Sequence, residues 1–356
     1  MPDPKTQFLT NDPLTRKKWA RELFKVLLPT VEFNELIGTD SNAIVQQKTE
    51  LTKGEGDQIT FGIRLPLVGE GVVGDDTVEG NEEKLRFRNF KATIAELNHA
   101  VDTGGKMEEQ RVPYNLMQEG KDGLQEWWAD KLSNYMFANL CSDTTYKIAG
   151  KVFANTIVAP SALTHVKVNG IAEASMTSAD VLDLTFLDKL KQIAENPSGT
   201  NKFKMRKVTK GGKGYYRVLL NNYVFDQLKS NMNAGQFGDL QRAAQKLGDS
   251  ITEFEYNGMM VSKSERVRKA PGTANVYRNI LLAPQAAVLA WGGAGDSKST
   301  TMSFVPYTRD AERFMMVRGG GIIGIKKVQF GDEDGSSNMV DFGIITGSSF
   351  ATALSE

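Results

Sequence analysis

The chain has 356 residues, of which 40% are hydrophobic and 24% charged, and its 43 basic side chains balance 43 acidic ones. These proportions are typical of a globular protein and supply enough apolar material for a sizeable core, with room for about two domains. A formal charge of zero argues against a protein that coats nucleic acid with its whole surface. The single cysteine, Cys141, excludes an intramolecular disulfide and a cysteine-rich metal site.

The N-terminal stretch predicts a polar tail and then a helix. Residues 1–11 are expected to be disordered, and Asp12 and Pro13 supply an N-cap and first-turn pair before LTRKKWARELFKVLL. This helix is either a surface helix with one buried face or an arm that packs on a neighbouring subunit. No apolar h-region precedes it, and no run of about 18 apolar residues occurs, so we expect neither a signal peptide nor a transmembrane helix.

Residues 44–54 alternate as a strand, and two more alternating segments, 59–65 and 85–94, then enclose a long excursion. The excursion has about twenty residues, rich in glycine and acidic side chains but also holding several valines. A two-stranded ribbon alone is only marginally stable in water, and its exposed edges invite pairing. We therefore expect this hairpin to dock onto another chain; a mobile surface loop is the alternative.

A long helix is predicted after Pro113, in NLMQEGKDGLQEWWADKLSNYMFANLC. Its apolar residues recur at helical spacing in one stripe, which Trp127 widens, and such an aromatic stripe is most often core. A helix of about 28 residues spans about 40 Å, which suits an element that carries other parts of the fold. The stripe consists of Leu124, Trp127, Trp128, Leu132 and Tyr135.

Residues 181–300 alternate between strand and helix patterns and could form a domain of their own. A helix is predicted to start at Thr185, with Asp188 completing a capping-box-like pattern. A strand then runs into the helix YVFDQLKSN, and the Asn257-Gly258 pair predicts a hairpin turn. NVYRNILLA predicts a buried strand, and PQAAVLAW predicts a short helix.

The last 55 residues predict strands again, in RFMMVRGGGIIGIKKVQF and NMVDFGIITGSSFATAL. Residues 319–321, three consecutive glycines, predict a bulge or bend in the first of them. Both strands are expected to return to the long helix and complete the first domain.

Little in the sequence points to catalysis. The two histidines, His99 and His165, have no carboxylate or cysteine at ligand spacing, and Cys141 ends an apolar helix face as a small hydrophobe. No pair of carboxylates is marked out for acid–base work. We therefore expect structural roles for these residues and no enzymatic site.

Three further motifs also favour ordinary loops. GGKG at 211–214 lacks the order of a phosphate-binding loop and predicts a turn. DEDG at 332–335 opens like a calcium loop, but Gly343 stands where the bidentate glutamate belongs. The basic stretch 202–213 is either a solvated loop or a contact to nucleic acid.

Several segments, taken in order, resemble the major capsid proteins of tailed bacteriophages, in the family typified by the capsid of coliphage N-four. The matching runs are FNELIGTDSNAIVQQKTELTKGEGDQITFGIRLPLVGEGVVGDDTVEGNEEKLRF at 33–87, LQEWWADKLSNYMFANL, EYNGMMVSKSERV at 255–267, ILLAPQAAVLAWG at 280–292 and MVDFGIITGSSFATAL at 339–354. The resemblance covers nearly the whole chain.

The resemblance implies the α+β Hong Kong 97 capsid fold. Its parts would be an N-terminal arm at 1–48, an extended β-hairpin loop at 49–110, and a peripheral domain with its spine helix at 111–180. An axial domain would follow at 181–300, and the C-terminal strands at 301–356 would return to the peripheral domain. The extended loop would lie over the adjacent subunit.

The resemblance also implies the function: a major capsid protein, without cofactor or metal, that self-assembles into an icosahedral phage head around double-stranded DNA. Hexamers and pentamers would build the shell, with scaffolding, portal and, as a further candidate, decoration proteins as partners. DNA contact would be weak and nonspecific, no membrane would be involved, and assembly would take place in the host cytoplasm. No motif assigns a covalent crosslink. The candidate inter-subunit contacts on the loop are Arg64, Asp75, Asp76, Glu79, Glu82, Glu83, Arg86 and Arg88.

Two other classes of protein stay open at this point. An encapsulin-like compartment would share the fold but needs a cargo-binding pocket or a cargo enzyme nearby. A soluble hydrolase would need a pocket of titratable groups with perturbed pKa values. The sequence shows neither feature.

Overall fold

The computed structural model shows a mixed α+β protein in which two sheets carry most of the core. It describes residues 36–52, 56–64, 67, 70–74, 77–113, 115–196, 204–210, 212–232, 253–293, 302–311, 313–331 and 339–353. The predicted N-terminal helix and the DEDG turn therefore lie outside the described residues, as does part of the GGKG turn.

Four helices and seventeen strands occur among the described residues. The helices are α1 Lys106–Arg111, α2 Leu116–Leu140, α3 Leu184–Glu195 and α4 Asn222–Asn231. The strands of the first half are β1 Ile37–Gly38, β2 Val45–Lys48, β3 Gln58–Arg64, β4 Phe87–Thr93, β5 Ala95–Gly105, β6 His165–Lys167 and β7 Val208–Lys210. Those of the second half are β8 Lys213–Leu220, β9 Glu253–Tyr256, β10 Met259–Lys263, β11 Val276–Leu282, β12 Ala287–Trp291, β13 Met302–Arg309, β14 Phe314–Lys327, β15 Gln329–Phe330, β16 Val340–Asp341 and β17 Ile344–Phe350.

The first sheet has the order β1-β2-β12-β14-β13, and β5 also pairs with β14. Helix α2 packs across β14 and β5. The Asn115 side chain caps this helix by accepting the Gln118 N–H at 3.1 Å, which satisfies one of its free first-turn donors. Leu124, Trp128 and Tyr135 are fully buried against the sheet, and the other two members of the stripe pack half-buried on the same core.

The second sheet has the order β6-β17-β11-β8-β10-β9, with β7 on β8. Helices α3 and α4 contribute apolar side chains to its core. The Asp183 carboxylate, not Thr185, caps α3 by accepting the Phe186 N–H at 2.8 Å, so the predicted start was wrong. The predicted Asn257-Gly258 turn between β9 and β10 is confirmed: both residues have left-handed φ, 46° and 70°.

Two local predictions about the first sheet were wrong. The segment PQAAVLAW forms strand β12, not a helix, because it pairs with β2 on one side and β14 on the other. All five of its residues are buried, so the alternation that marks a strand is missing. The glycines 319–321 pair in regular register with β5 and β13, and the irregularity of β14 falls between Phe314 and Met316 instead.

The glycines of β14 allow close approach of neighbouring atoms. A Cβ at Gly320 would overlap the Asn98 amide, and one at Gly319 would lie 3.0 Å from Trp128 Nε1. The missing side chains therefore let β5 and α2 lie directly on the strand.

Strand pairing also differs in two places from the predicted domain ranges. Strand β12, inside 181–300, joins the first sheet, and β17, inside 301–356, pairs with β11 in the second. The chain passes from the second sheet to the first through residues 283–286, between β11 and β12. Gly343, whose φ is 74°, lies beside this connection, and its carbonyl accepts the Ala283 N–H at 2.8 Å. The remaining boundaries stay predictions.

Candidate functional site

Strands β3 and β4 form the predicted hairpin, paired from Gln58↔Thr93 to Arg64↔Phe87. Its inner half, residues 58–64 and 88–93, is called the hairpin root. The root packs on a small apolar cluster of its own. Phe90 is the centre of this cluster, with ring centroids 6.1 Å from Phe61 and 6.2 Å from Phe330. The root is therefore held by the chain itself.

Polar contacts fix the end of the root as well. The Asn155 amide donates to the Thr93 carbonyl at 2.7 Å, and its Oδ1 accepts the Thr93 N–H at 3.0 Å, as a neighbouring strand would. The Lys326 ammonium donates to the Lys91 carbonyl at 2.6 Å and lies 4.9 Å from the Phe90 ring centre. A Cβ at Gly324 would overlap the Thr93 carbonyl oxygen, so only glycine permits this contact.

The outer part of the hairpin, residues 67, 70–74 and 77–87, is called the hairpin tip. It exposes large apolar side chains: Leu67, Val73, Val78, Leu85 and Phe87. Val73 is 82% exposed, an unusual state for a valine. Gly71, Gly74 and Gly80 have positive φ values, and no described atom lies within 4 Å of where each Cβ would stand, so nothing described packs against the tip at these three positions.

The predicted contact residues divide between the tip and the root. Asp75 and Asp76 lie outside the described residues. Arg64, Glu79, Glu82 and Glu83 are exposed, and Arg86 is half-buried. Arg88 is buried in the root because it shares the inward period of Phe90 and Ala92, and its role as an inter-subunit contact stays a prediction.

The predicted loop range is also longer than the projecting part. Strand β5, inside 49–110, pairs with β14 and belongs to the first sheet. The projecting hairpin therefore runs from β3 to β4 only. Inside its tip, the Gly80 N–H donates to the Glu82 carboxylate at 2.9 Å and the Asn81 amide donates to the Thr77 carbonyl at 2.9 Å.

A second group of polar residues, which sequence reasoning missed, lies buried where the two sheets meet. Lys327 Nζ is 2.8 Å from Asp341 Oδ1, and their side chains are 1% and 0% exposed. The Ser161 N–H and the Thr164 hydroxyl donate to Asp341 Oδ2 at 3.0 and 2.7 Å. Burial lowers the pKa of Lys327, and the Asp341 carboxylate opposes that shift.

Ser142 links this pair to a second one. Its hydroxyl accepts a hydrogen bond from Lys327 at 2.7 Å, and its carbonyl accepts one from Arg278 at 2.6 Å. Arg278 in turn forms a bidentate pair with Glu173, at 2.8 and 2.7 Å. Together these residues, with His165 and Ser348, make the group that we call the polar seam. No local sequence pattern marks it, because hydrogen-bonded partners within it lie as far as 185 positions apart in the chain.

The polar seam contains serine, histidine and glutamate, but it cannot act as a catalytic triad. Ser348 Oγ and Glu173 Oε1 both approach the same nitrogen, His165 Nε2, at 2.8 and 3.2 Å. A triad needs the carboxylate on the opposite ring nitrogen. Ser348 is also fully buried. Burial raises the pKa of Glu173, but hydrogen bonds from Arg278, His165 and Ser348 outweigh it and hold that pKa well below the usual range.

The other side chains considered for a chemical role are His99 and Cys141. His99 stacks on Trp127 with ring centroids 4.4 Å apart. Cys141 is fully buried, and burial raises its pKa to about 11. No group of metal-binding side chains occurs in the part of the chain that the structure describes. Within the same ranges, no helix has the length and apolar character that a membrane crossing requires.

Comparisons of sequence and of structure both find phage capsid proteins that are similar to this chain. A family model described as phage capsid protein matches residues 7–253. The major capsid protein of Pseudomonas phage KPP25 is 25% identical over 372 residues, covering 95% of each chain. The capsid of Ralstonia phage GP4 superposes with a TM-score of 0.79 at 24% identity, over 99% of this chain and 100% of that one.

An encapsulin from Synechococcus elongatus matches less well, with a TM-score of 0.52 at 9% identity over 96% of this chain and 95% of that one. Both structural matches show the fold alone, which is the Hong Kong 97-like α+β fold predicted from the sequence. The family match and the curated relative favour the phage proteins over the encapsulin.

Proposed function

The chain belongs to the phage capsid protein family, and from that premise we propose that it builds the icosahedral head shell of a tailed phage of the coliphage N-four type. Membership of this family makes it a structural component of the virion and not an enzyme, as the sequence predicted. Capsid proteins assemble as shells of many copies, so large surfaces of the chain must pair with further copies of itself.

The observation that carries the proposal is the contrast between the hairpin root and the hairpin tip. The root is anchored by Phe90, Asn155 and Lys326, whereas the tip exposes a row of apolar side chains. Exposed apolar groups that are rimmed by charge mark surfaces for protein partners. We infer that the tip lies on an adjacent subunit and gains there the burial that its own protomer does not give.

The further parts of the proposal concern the assembly. An N-terminal arm at 1–48 and a spine-helix domain would hold neighbours together in hexamers and pentamers. Scaffolding and portal proteins, and decoration proteins as a further candidate, would join the shell in the host cytoplasm. The formal charge of zero favours close packing of many copies and only weak, nonspecific contact with the packaged double-stranded DNA.

Individual contacts at the tip need not be strong. Exposed ion pairs from residues such as Glu79 and Glu82 each contribute about 0–1 kcal/mol. A closed shell repeats each of them in every copy, so small terms add up to a large preference for the assembled state.

Replacing residues 67–84 by a short glycine–serine linker tests the proposal. The truncated chain should keep its fold, because the root retains its own cluster, but it should form no shells. Circular dichroism and thermal unfolding check the fold, and electron microscopy with light scattering checks assembly beside the wild-type chain. Closed particles of normal size from the truncated chain would refute the proposed role of the tip.

A further inference from the structure

A cavity of about 440 Å³ opens between β6 and α3 and has a distinctive lining. Three basic side chains, His165, Lys167 and Lys189, border it, and no carboxylate does. Leu163 and Ile193 add an apolar wall, and Leu163 is 41% exposed. We call this the basic cavity.

The described part of the chain supplies no ion pair for the two lysines of the basic cavity. No ion pair joins Lys167 or Lys189 to any residue in the described ranges. Glu173 lies 3.2 Å from His165 Nε2, but Arg278 already neutralises it through two hydrogen bonds. The two lysines therefore remain available to an anionic partner.

A larger cavity of about 680 Å³, between α2 and residues 264–273, provides a contrast. Its arginines are already paired: Arg266 lies 3.0 Å from Asp130, and Arg268 lies 3.5 Å from Asp143. Most of its positive charge is used within the protomer. The basic cavity is thus the better candidate for an acidic ligand.

The lining also indicates what kind of anion fits. A nucleic acid backbone would use the lysines but would leave the apolar wall around Leu163 exposed. A peptide segment that carries both carboxylates and aliphatic side chains would cover both features. The hairpin tip is such a segment, since it exposes Val78 and Leu85 beside Glu79 and Glu82.

We propose that the basic cavity receives the hairpin tip of a second copy of this chain. In this arrangement a carboxylate of Glu79 or Glu82 lies between Lys167 and Lys189, and Val78 covers Leu163. The inference rests on the proposed role of the tip in assembly and adds the surface on which the tip docks. Opposite charges at such a contact act mainly on specificity and association rate.

Exchange of charge across the contact tests the assignment. The Lys167→Glu/Lys189→Glu variant and the Glu79→Lys/Glu82→Lys variant should each reduce the yield of shells about tenfold or more, because like charges then face each other. The chain carrying all four changes should recover to within about threefold of the wild-type yield. Lys213→Glu/Lys263→Glu, a reversal at two exposed lysines elsewhere on the second sheet, should leave the yield unchanged.

Disulfide trapping provides a second measurement. Assembled shells of a chain with Val78→Cys and Leu163→Cys should show disulfide-linked oligomers on a non-reducing gel. Cys141 will not interfere, because it is fully buried and its pKa is raised to about 11. Val78→Cys combined with Lys263→Cys is the matched control and should remain monomeric on the gel.

The results of these experiments distinguish the cavity assignment from the proposed function. Wild-type shells with no rescue by the fourfold variant and no Val78–Leu163 link would overturn the cavity assignment and leave the proposed function standing. A wild-type chain that forms no shells with its scaffold supplied would overturn both.

Discussion

The hairpin tip and the polar seam depart from the usual distribution of side chains in opposite directions. The tip exposes valine, leucine and phenylalanine, whereas the seam buries Lys327, Arg278 and Asp341 and leaves Glu173 only 15% exposed. Globular proteins ordinarily do the reverse. The seam can do so because every charge meets an opposite charge within the protomer. The exposed apolar side chains of the tip are not covered by the described part of the chain, and in the proposed assembly another copy covers them.

This difference separates two kinds of stability. Removing the seam should unfold the protomer, because a buried charge without a partner is costly. Removing the tip should leave the protomer intact and affect only assembly. Measurements of folding and of shell formation on the same variants therefore test whether the two regions differ in this way.

The largest effect on folding is expected at Asp341. Asp341→Ala leaves the Lys327 ammonium buried without its carboxylate and removes the acceptor of the Thr164 hydroxyl. The free energy of unfolding should fall by about 3–5 kcal/mol, measured by urea denaturation of the unassembled chain.

An exposed ion pair provides the control for that variant. Arg313 lies 3.3 Å from Asp310, and both side chains are more than half exposed. Asp310→Ala should therefore cost less than about 1 kcal/mol. Equal losses for the two variants would show that burial does not set the importance of the seam.

A smaller effect, which depends on pH, is expected at Glu173. Its pKa is held below the ordinary value of 4.5, so the unfolded chain takes up a proton before the folded chain does. The stabilisation is fully present above about pH 4.5 and is lost as the pH falls towards the lowered pKa. Glu173→Gln should lower stability at neutral pH and flatten its decline between pH 5 and 3, in urea denaturation at fixed ionic strength.

Glu265→Gln, at an exposed glutamate, controls for the loss of one negative charge. A Glu173→Gln chain whose stability falls with pH as steeply as that of the wild type would contradict the assignment of this dependence to the seam.

The sequence predicted the parts of the fold whose signals are local. The alternating strands around the hairpin, the stripe from Leu124 to Tyr135 and the Asn257-Gly258 turn each follow from periodicity or turn chemistry within a few residues. The projecting hairpin could also be predicted, because an isolated glycine-rich ribbon cannot bury its own valines.

The features that the sequence did not predict depend on tertiary surroundings. Strand β12 lacks alternation because sheet neighbours and packed layers cover both of its faces. The glycines of β14 reflect the close approach of Asn98 and Trp128, which are distant in sequence. The polar seam joins Lys327 to Ser142 and Arg278 to Glu173, and nothing near any one of these residues indicates its partner.

The smallest effect on folding is expected at the tip, where it is most informative. Leu67→Ser/Val73→Ser should change the free energy of unfolding by less than about 0.5 kcal/mol, because both side chains are exposed in the protomer. The same substitution at a buried valine of β14, Val317→Ser, should cost about 2–4 kcal/mol. Shell formation should nevertheless be impaired by the tip variant, since it removes apolar surface that a neighbouring copy covers in the proposed assembly. A tip variant that destabilises the monomer as much as Val317→Ser would mean that the tip packs on its own protomer, and the contrast with the seam would disappear.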